Sequence, residues 1–510
     1  MAIMRTNIFN DFPICLLAFN EKGSEIELIE RNETWRRICI RMKRDFSTKF
    51  DFQTAELGGE EEAIQEFNSS CSKFAILSHT WIQDTPGEVT YADWKPTKVD
   101  KSSRGYQKLA NFCRVAAIDY GVTLGWMDTI CINKESSSEL DESIRSMFKW
   151  YSYAEVCVTH LADIMTVDNM RHDTWFTRGW TLQELLAPSY TKFYNAEWKK
   201  IHSHWKGDLE DEDILREIQA ATTIVKDELT MNLLDIPISR RMQWAANRRV
   251  TRAEDTAYSL MGIFGVSIST AYGEGPQLAF IRLIKEIIAS KHDTLDIMNF
   301  GYGNKYPSEK SAERSGRITA SSLVPLSPKQ FLWSKPILWQ RSTTPITLTH
   351  LGLHVSVLLI PGISITNLPD ESRPIGRYFG TITENFLNPN NDITSGTFSL
   401  LESCIYEKPI SSTIRREAVL FFAVFNFYET ATTVEIAPRD SLCYAKALIP
   451  VELHLSFDLE DILSDTSKLR MLYTPQPTFF TLQSVNEESY FIIPKPDLEK
   501  HGMFLRTMYL

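Results

Sequence analysis

An α/β core built on a parallel sheet, followed by a helical stretch and a β-rich C-terminal region, is the fold class this sequence predicts. Three observations predict it. Between Lys73 and Pro188, short apolar runs alternate with amphipathic helical patterns, as βαβ units require. Helical patterns then continue through residues 191–295. Beyond about residue 296, Pro, Ser, Thr and alternating β-branched residues take over. The expected organisation is a lead segment over 1–72, an α/β core over 73–190, a helical extension over 191–295 and a β-rich domain over 296–510.

In the lead segment, Ile14 to Phe19 and Glu25 to Ile29 read as short strands, and Glu56 to Glu66 as an acidic linker or surface helix. The core opens with Phe74 to Ser78, a short apolar run closed by polar residues, hence a buried strand. Gly105 to Tyr120 reads as a helix with Leu109, Phe112, Cys113 and Ala116 on one face. Leu124 to Ile132 reads as a second buried strand. In Ser138 to Tyr153, the residues Leu140, Ile144, Met147, Phe148 and Tyr151 recur at helical spacing, and Ser138 with Asp141 forms a capping-box-like start. Glu155 to Leu161 is the third strand. Arg178 to Leu186 is a short helix stopped by Pro188.

Further along, Thr251 and Glu254 suggest a capping box, with Gly262 or Gly265 able to end that helix. Pro276 suits a first helical position, and Phe280, Leu283, Ile284, Ile287 and Ile288 form an apolar face. In the C-terminal region, Leu353 to Val357 alternates with period two, Ala418 to Phe425 reads as a buried strand, and Leu387 to Asp392 reads as a loop.

Composition narrows the function. Of 510 residues, 43% are hydrophobic and 11% aromatic, enough for packed cores rather than disorder. The net charge is −11, and the basic runs (Arg36-Arg37, Arg240-Arg241, Arg248-Arg249) are only pairs, read as solvated faces; no nucleic-acid partner is expected. Eight scattered cysteines without a C-x-x-C pair fit reduced thiols, so a cytoplasmic location is expected. No run is long enough to span a bilayer. Phosphate-loop, dinucleotide-loop, zinc-protease and nucleophile-elbow signatures are missing. His202 and His204 form a close pair with no Cys or acidic cluster beside them in sequence, so no metal is expected.

The remaining chemistry gathers where the strands end, which is where ligands bind in open α/β sheets. Ser78, His79, Thr80 and Trp81 follow the first strand, and Asp128 and Cys131 lie at the second. Arg178, Trp180 and Glu184 lie on the last helix. At about 100° per residue, Trp180 and Glu184 fall roughly 40° apart, opposite Leu182, Leu185 and Leu186. A carboxyl beside an indole is raised by desolvation. Such a Glu can stabilise an oxocarbenium-like transition state or act as general acid/base. The same residues admit structural readings: Glu184 on the surface, Trp180 in the core, Asp128 capping a turn, Cys131 as core filler. Trp81 admits packing or a platform for a base. His79 with Cys131 admits a nucleophile–base pair.

Phe74-Ala-Ile-Leu-Ser-His-Thr-Trp81 resembles the opening motif of the fungal heterokaryon-incompatibility (HET) domain. So do Gly105-Tyr106 with Lys108 and Phe112-Cys113, Trp126 with Asp128 and Cys131-Ile132, Ser138 to Tyr153, and above all Arg178-Gly-Trp-Thr-Leu-Gln-Glu-Leu-Leu-Ala-Pro188. The segments Arg240 to Asn247, Arg252 to Tyr258, Gly262 to Phe264 and Tyr272 to Gly275 resemble the region that commonly follows. Two departures stand out: Ile82 where the family usually places Gly, and Gly125 before Trp126.

The resemblance implies non-self recognition and regulated cell death, with a protein partner and self-association. The HET domain is in turn remotely similar to Toll/interleukin-receptor (TIR) domains, implying a TIR-like, flavodoxin-like sheet with flanking helices. Trp180 to Leu185 matches the W-C-x-x-E-L helix of NAD-cleaving TIR domains, with Thr181 in place of Cys. Carried over, Glu184 is the catalytic residue. Ser78, His79, Trp81, Asp128, Cys131, Arg178 and Trp180 bind substrate, and Asn133 to Ser137 is a self-association loop. NAD is then a substrate, and no cofactor is implied. The alternative is a non-enzymatic self-associating signalling scaffold.

Overall fold

In the computed structural model, the described residues are 12–49, 73–84, 87–94, 99–203, 207–290, 295–300 and 324–332. Beyond them it describes the strands between Thr347–Thr349 and Phe504–Tyr509 with a few adjoining residues. The chain divides into two compact units. One holds residues up to Ile236 together with Arg248–Ala279; the other holds Pro237–Asn247 and Phe280–Leu510.

The first unit is an α/β layer structure. Its strands are β1 (Cys15–Ala18), β2 (Glu27–Glu30), β3 (Ala75–His79), β4 (Leu124–Trp126), β5 (Val156–His160) and β6 (Thr191–Tyr194). They lie in the order β2-β1-β4-β3-β5-β6. The four central and far strands run parallel. The sheet is nevertheless mixed, because β1 and β2 of the lead segment join antiparallel through β4. Counted among themselves, the parallel strands take the order 2-1-3-4, so the direction of winding reverses at β3. The carboxyl end of β3 is therefore a switch point, where a crevice forms between diverging connections.

Flanking helices bury one face each. Helix α1 (Arg31–Lys49) follows β2 directly. Helix α2 (Arg104–Tyr120) starts on Ser103, whose hydroxyl accepts from the Tyr106 amide, and ends at left-handed Gly121. The predicted stripe Leu109, Phe112, Cys113 and Ala116 is buried, and Lys108 is buried with it. Gly125 has a packing reason: a Cβ there would lie 2.9 Å from the Phe112 ring and 3.0 Å from the Phe19 ring.

Four local expectations are corrected. The apolar run 124–132 is not one strand: β4 stops at Trp126, and Asp128–Cys131 forms a one-turn helix, α3. Periodicity cannot separate a buried strand from a buried turn of helix over so few residues. Helix α4 (Ser137–Tyr153) is capped by Ser136, not Ser138; the Ser136 hydroxyl accepts from the Glu139 amide. Within the stretch read as helical, Thr191–Tyr194 forms strand β6, fully buried against β5. Glu254 makes no capping box; its carboxylate accepts from the amides of Gly273 and Gly275 at 2.9 and 3.2 Å, fixing that turn instead.

Helix α5 (Thr181–Leu186) is shorter than read and is preceded by a 3₁₀ turn at Thr174–Thr177. After it come α6 (Glu212–Thr222), α7 (Ile238–Ala245), α8 (Asp255–Tyr258), α9 (Met261–Phe264) and α10 (Pro276–Ser290). Gly265, at φ 66°, ends α9 as its sequence position allowed. Gly262 serves a different need: a Cβ there would sit 2.2 Å from Phe148 Cβ on α4. Phe148 Cβ is anchored to backbone and cannot swing aside. Gly262→Ala is therefore expected to lower the thermal midpoint. Overpacking costs about 1–3 kcal/mol against a helix-propensity gain near 1 kcal/mol. An unchanged or higher midpoint in a thermal melt would contradict this close approach.

In the second unit, Asp296 accepts from the Ser239 amide and hydroxyl at the start of α7, at 2.6 and 2.8 Å. The predicted face of α10, from Phe280 to Ile288, is buried. The described strands pair antiparallel: Gly352–Thr366 lies between Arg416–Val424 and Phe504–Tyr509. These include the runs read as strands at 353–357 and 418–425, up to Val424. The acidic stretch 56–66 and the loop 388–392 lie outside the described residues. Among the described residues, no helix is long and apolar enough to cross a membrane. Cys15, Cys39, Cys113, Cys131 and Cys157 are free thiols.

Candidate functional site

Strand β3 delivers Ser78 and His79 to the carboxyl edge of the sheet, in register with Thr159 and His160 of β5. Two connected clusters grow from these neighbours, one buried behind the edge and one facing outward.

The inner cluster is a hydrogen-bonded chain. Trp175 Nε1 donates to Ser78 Oγ at 2.7 Å, and Ser78 Oγ donates to Glu184 Oε2 at 2.5 Å. All three side chains are buried, Glu184 at 8% exposure. Asp173 aims the indole: its carboxylate accepts from the Trp175 amide at 2.8 Å and from the Asp163 amide at 2.9 Å. Helix α5 is held from below by Thr181, whose hydroxyl reaches the Trp175 and Arg178 carbonyls at 2.6 and 2.9 Å. Gly179 donates to the Arg249 carbonyl and Arg249 to that of Thr177, both at 2.7 Å. That pairing needs glycine, since a Cβ at 179 would lie 2.4 Å from Val250 Cγ1.

Burial pushes the Glu184 carboxyl up to about 7. The Ser78 hydrogen bond and the Arg178 charge pull it down, and the Asp128 charge pushes it up. Arg248 lies close enough for its charge to couple to Glu184; burial pulls its guanidinium down to about 9. Arg248 Nη1 donates to the Arg178 carbonyl and Thr181 Oγ1 at 2.8 and 2.9 Å. Arg241, in the second unit, is 1% exposed. The pairs Arg240-Arg241 and Arg248-Arg249 are thus not solvated faces throughout. One member of each is folded inward, which a pair of letters cannot reveal.

The outer cluster surrounds His79. Its Nε2 lies 3.0 Å from Asp128 Oδ1, and its Nδ1 lies 3.1 Å from Lys108 Nζ. An ammonium only donates, so Nδ1 accepts and the ring proton sits on Nε2, facing Asp128. Trp81 Nε1 donates to Asp128 Oδ2 at 2.8 Å. Burial alone would raise the Asp128 carboxyl; the His79 and Trp81 hydrogen bonds and the Lys134 charge outweigh it and bring it to about 2. Lys108 Nζ also donates to the Thr80 carbonyl at 2.9 Å and to the buried Glu88 carboxylate. Burial lowers this ammonium from its usual value, while Glu88 opposes the fall. Lys134 Nζ stands 3.8 Å over the Trp81 ring and Arg178 Cζ 5.6 Å from it.

Six of the eight residues selected from sequence meet here: Ser78, His79, Trp81, Asp128, Arg178 and Glu184. Cys131 and Trp180 are placed differently. Cys131 is 2% exposed in the core, where burial raises its thiol. No hydrogen bond joins Cys131 to His79, whose ring nitrogens are engaged by Asp128 and Lys108. Trp180 is half-buried and donates to Asp255 Oδ2 at 3.1 Å. The indole bonded into the Glu184 chain is Trp175. Trp175 and Glu88 escaped sequence reasoning; Lys134 appeared only within the loop 133–137 and Arg248 only within a basic pair. Lys108 appeared only within a motif. His160, stacked on Trp198 at 4.2 Å, was also missed; burial, with the nearby Lys108 charge, pulls it down to about 3.

The expectation that nothing acidic surrounds His202 is corrected. Asp211 Oδ2 lies 3.0 Å from His202 Nδ1, and with Asp213 they form a compact group of three ligand-type side chains. Asp211 also caps α6 through the Asp213 and Ile214 amides.

Residues 74–165 match the family described as "Heterokaryon incompatibility protein (HET)". The chain carries a HET domain. The matched part of this HET domain contains Ser78, His79, Trp81, Lys108, Asp128 and Lys134, and ends before Glu184. Vegetative incompatibility protein HET-E-1 of Podospora anserina is 41% identical over 227 residues, covering 42% of this chain and 16% of the relative. The chain thus spans about a sixth of the length of the curated relative it matches. No solved structure matches it.

Proposed function

We propose that this HET domain protein is a fungal incompatibility and cell-death effector whose TIR-like core cleaves NAD at the nicotinamide–ribose bond. A β-rich C-terminal domain and a protein partner for non-self recognition belong to the same reading. The observation that carries the chemistry is Glu184: a buried carboxyl near 7, tied to Ser78 at the sheet's switch point. As the glycosidic C–N bond breaks, its electron pair leaves with nicotinamide and positive charge develops on the ribosyl carbon. The ionised Glu184 stabilises that charge. Water then forms the new C–O bond and gives up a proton, leaving ADP-ribose and nicotinamide. Trp175 and Ser78 hold the carboxyl oriented, while Asp128 and Trp81 wall the outer side.

Self-association through Asn133 to Ser137 fits a turn that exposes Lys134 and Glu135. The test is NAD consumption by purified protein, with and without a crowding agent, for wild type and Glu184→Ala. Consumption by wild type alone supports the reading. No consumption under any assembled condition rejects catalysis and leaves the self-associating scaffold, for which charge changes in 133–137 abolish the cell-death effect.

A further inference from the structure

We propose that Lys134, Arg178 and Arg252 form a binding site for the diphosphate group of a nucleotide ligand. The inference rests on reading the sheet edge as a nucleotide site and names the group that holds the ligand there. Its basis is three cations whose charges are not spent on carboxylates. Among the described residues, none of the three forms an ion pair. Instead each lies against an aromatic face: Lys134 and Arg178 at Trp81, and Arg252 Cζ 4.2 Å over Tyr272. Such contacts leave N–H groups free to donate.

The neighbouring carboxylates are committed elsewhere. Asp128 accepts from Trp81 and His79, and Glu88 from Lys108 and the Ile82 amide. Glu254 accepts from Gly273 and Gly275, and Asp255 from Trp180 and Tyr272. Arg178 and Arg252 both lie close enough for their charges to repel that of Lys134. A dianion placed among them would relieve that repulsion and accept charge-assisted hydrogen bonds. Lys134 and Arg178 flank the Trp81 ring, whose indole donates to Asp128 at the carboxyl edge of the sheet, so a diphosphate there would sit beside that edge.

The experiment is calorimetric titration with inorganic pyrophosphate and, separately, with ADP-ribose. The variants are Lys134→Gln, Arg178→Gln and Arg252→Gln, with Lys199→Gln as control, since Lys199 pairs with Glu197 on an exposed loop. Wild type is expected to bind both probes more weakly as salt rises. Each site variant should bind about tenfold or more weakly, the worth of one charge-assisted bond, and the control unchanged. Lys134 is exposed, so its variant tests the site without threatening the fold. No pyrophosphate binding, or equal binding by all variants, overturns the proposal even if NAD is consumed. Pyrophosphate binding with the expected losses, but without NAD consumption, upholds this site and rejects the cleavage reading alone.

Discussion

Glu184→Gln is expected to make the protein more stable above pH 7 while abolishing NAD cleavage. The carboxyl is raised from the ordinary 4.5 to about 7 in the folded protein, chiefly by burial. For a raised acid the sign is as follows: below 4.5 both states carry the proton and nothing is lost. As pH rises from there through 7, the unfolded chain ionises first and stability falls. Once both states are ionised the loss reaches about 3 kcal/mol, an upper figure because neighbouring groups relax. Gln cannot ionise, and its carbonyl can still accept from Ser78. Chemical denaturation of the two proteins should therefore agree near pH 4.5 and diverge by pH 8, with Gln more stable. Equal curves at pH 8 would mean that Glu184 is solvated and not the perturbed carboxyl described here. In the same samples, loss of the ionised carboxylate should reduce NAD cleavage by about 10²–10⁴-fold. A stability gain paired with lost activity is what a functional group held against its solvation preference produces.

How far the sequence carried depends on which forces each element obeys. The helices 105–120 and 138–153 and the strands around Ser78 and Val158 were legible because one apolar stripe or run decides each. Strand β6 was not, because Thr191-Lys-Phe-Tyr194 carries a buried Lys192 whose charge is met by Asp208 at 2.6 Å, a long-range pairing. The joining of β1 and β2 to the sheet is likewise a tertiary choice. Ser78, Asp128 and Glu184 could be selected because open sheets put ligands at strand ends, and the topology obeys that rule. Trp175 could not be distinguished from Trp180. Both flank α5, and only the 3₁₀ turn at 174–177 decides which indole reaches Ser78. Lys108 lay on a helix face read as apolar, where a Lys suggests an error in the stripe rather than a buried partner. Its cluster, with Glu88 and His79, is assembled from three elements that sequence spacing does not relate.

That cluster sets the last and largest expected stability effect. Lys108 and Glu88 are both nearly buried, at 6% and 5% side-chain exposure, and form an ion pair. Among the described residues, Lys108→Met removes the one ammonium paired with the Glu88 carboxylate, whose second oxygen already has no hydrogen-bond partner there. It also strips a donor from His79 Nδ1 and from the Thr80 carbonyl. Breaking one partner of a buried pair costs about 3–5 kcal/mol, because the surviving charge stays out of water uncompensated. The double variant Lys108→Met/Glu88→Gln removes that orphan charge and should recover a large part of the loss, leaving the cost of the unmet His79 and Thr80 acceptors. A double-mutant cycle by urea denaturation measures the coupling directly. Strong coupling would establish that Lys108 acts mainly as counter-ion to Glu88. Additive losses would assign it instead to positioning His79, and through His79 the Asp128 carboxylate at the mouth of the site.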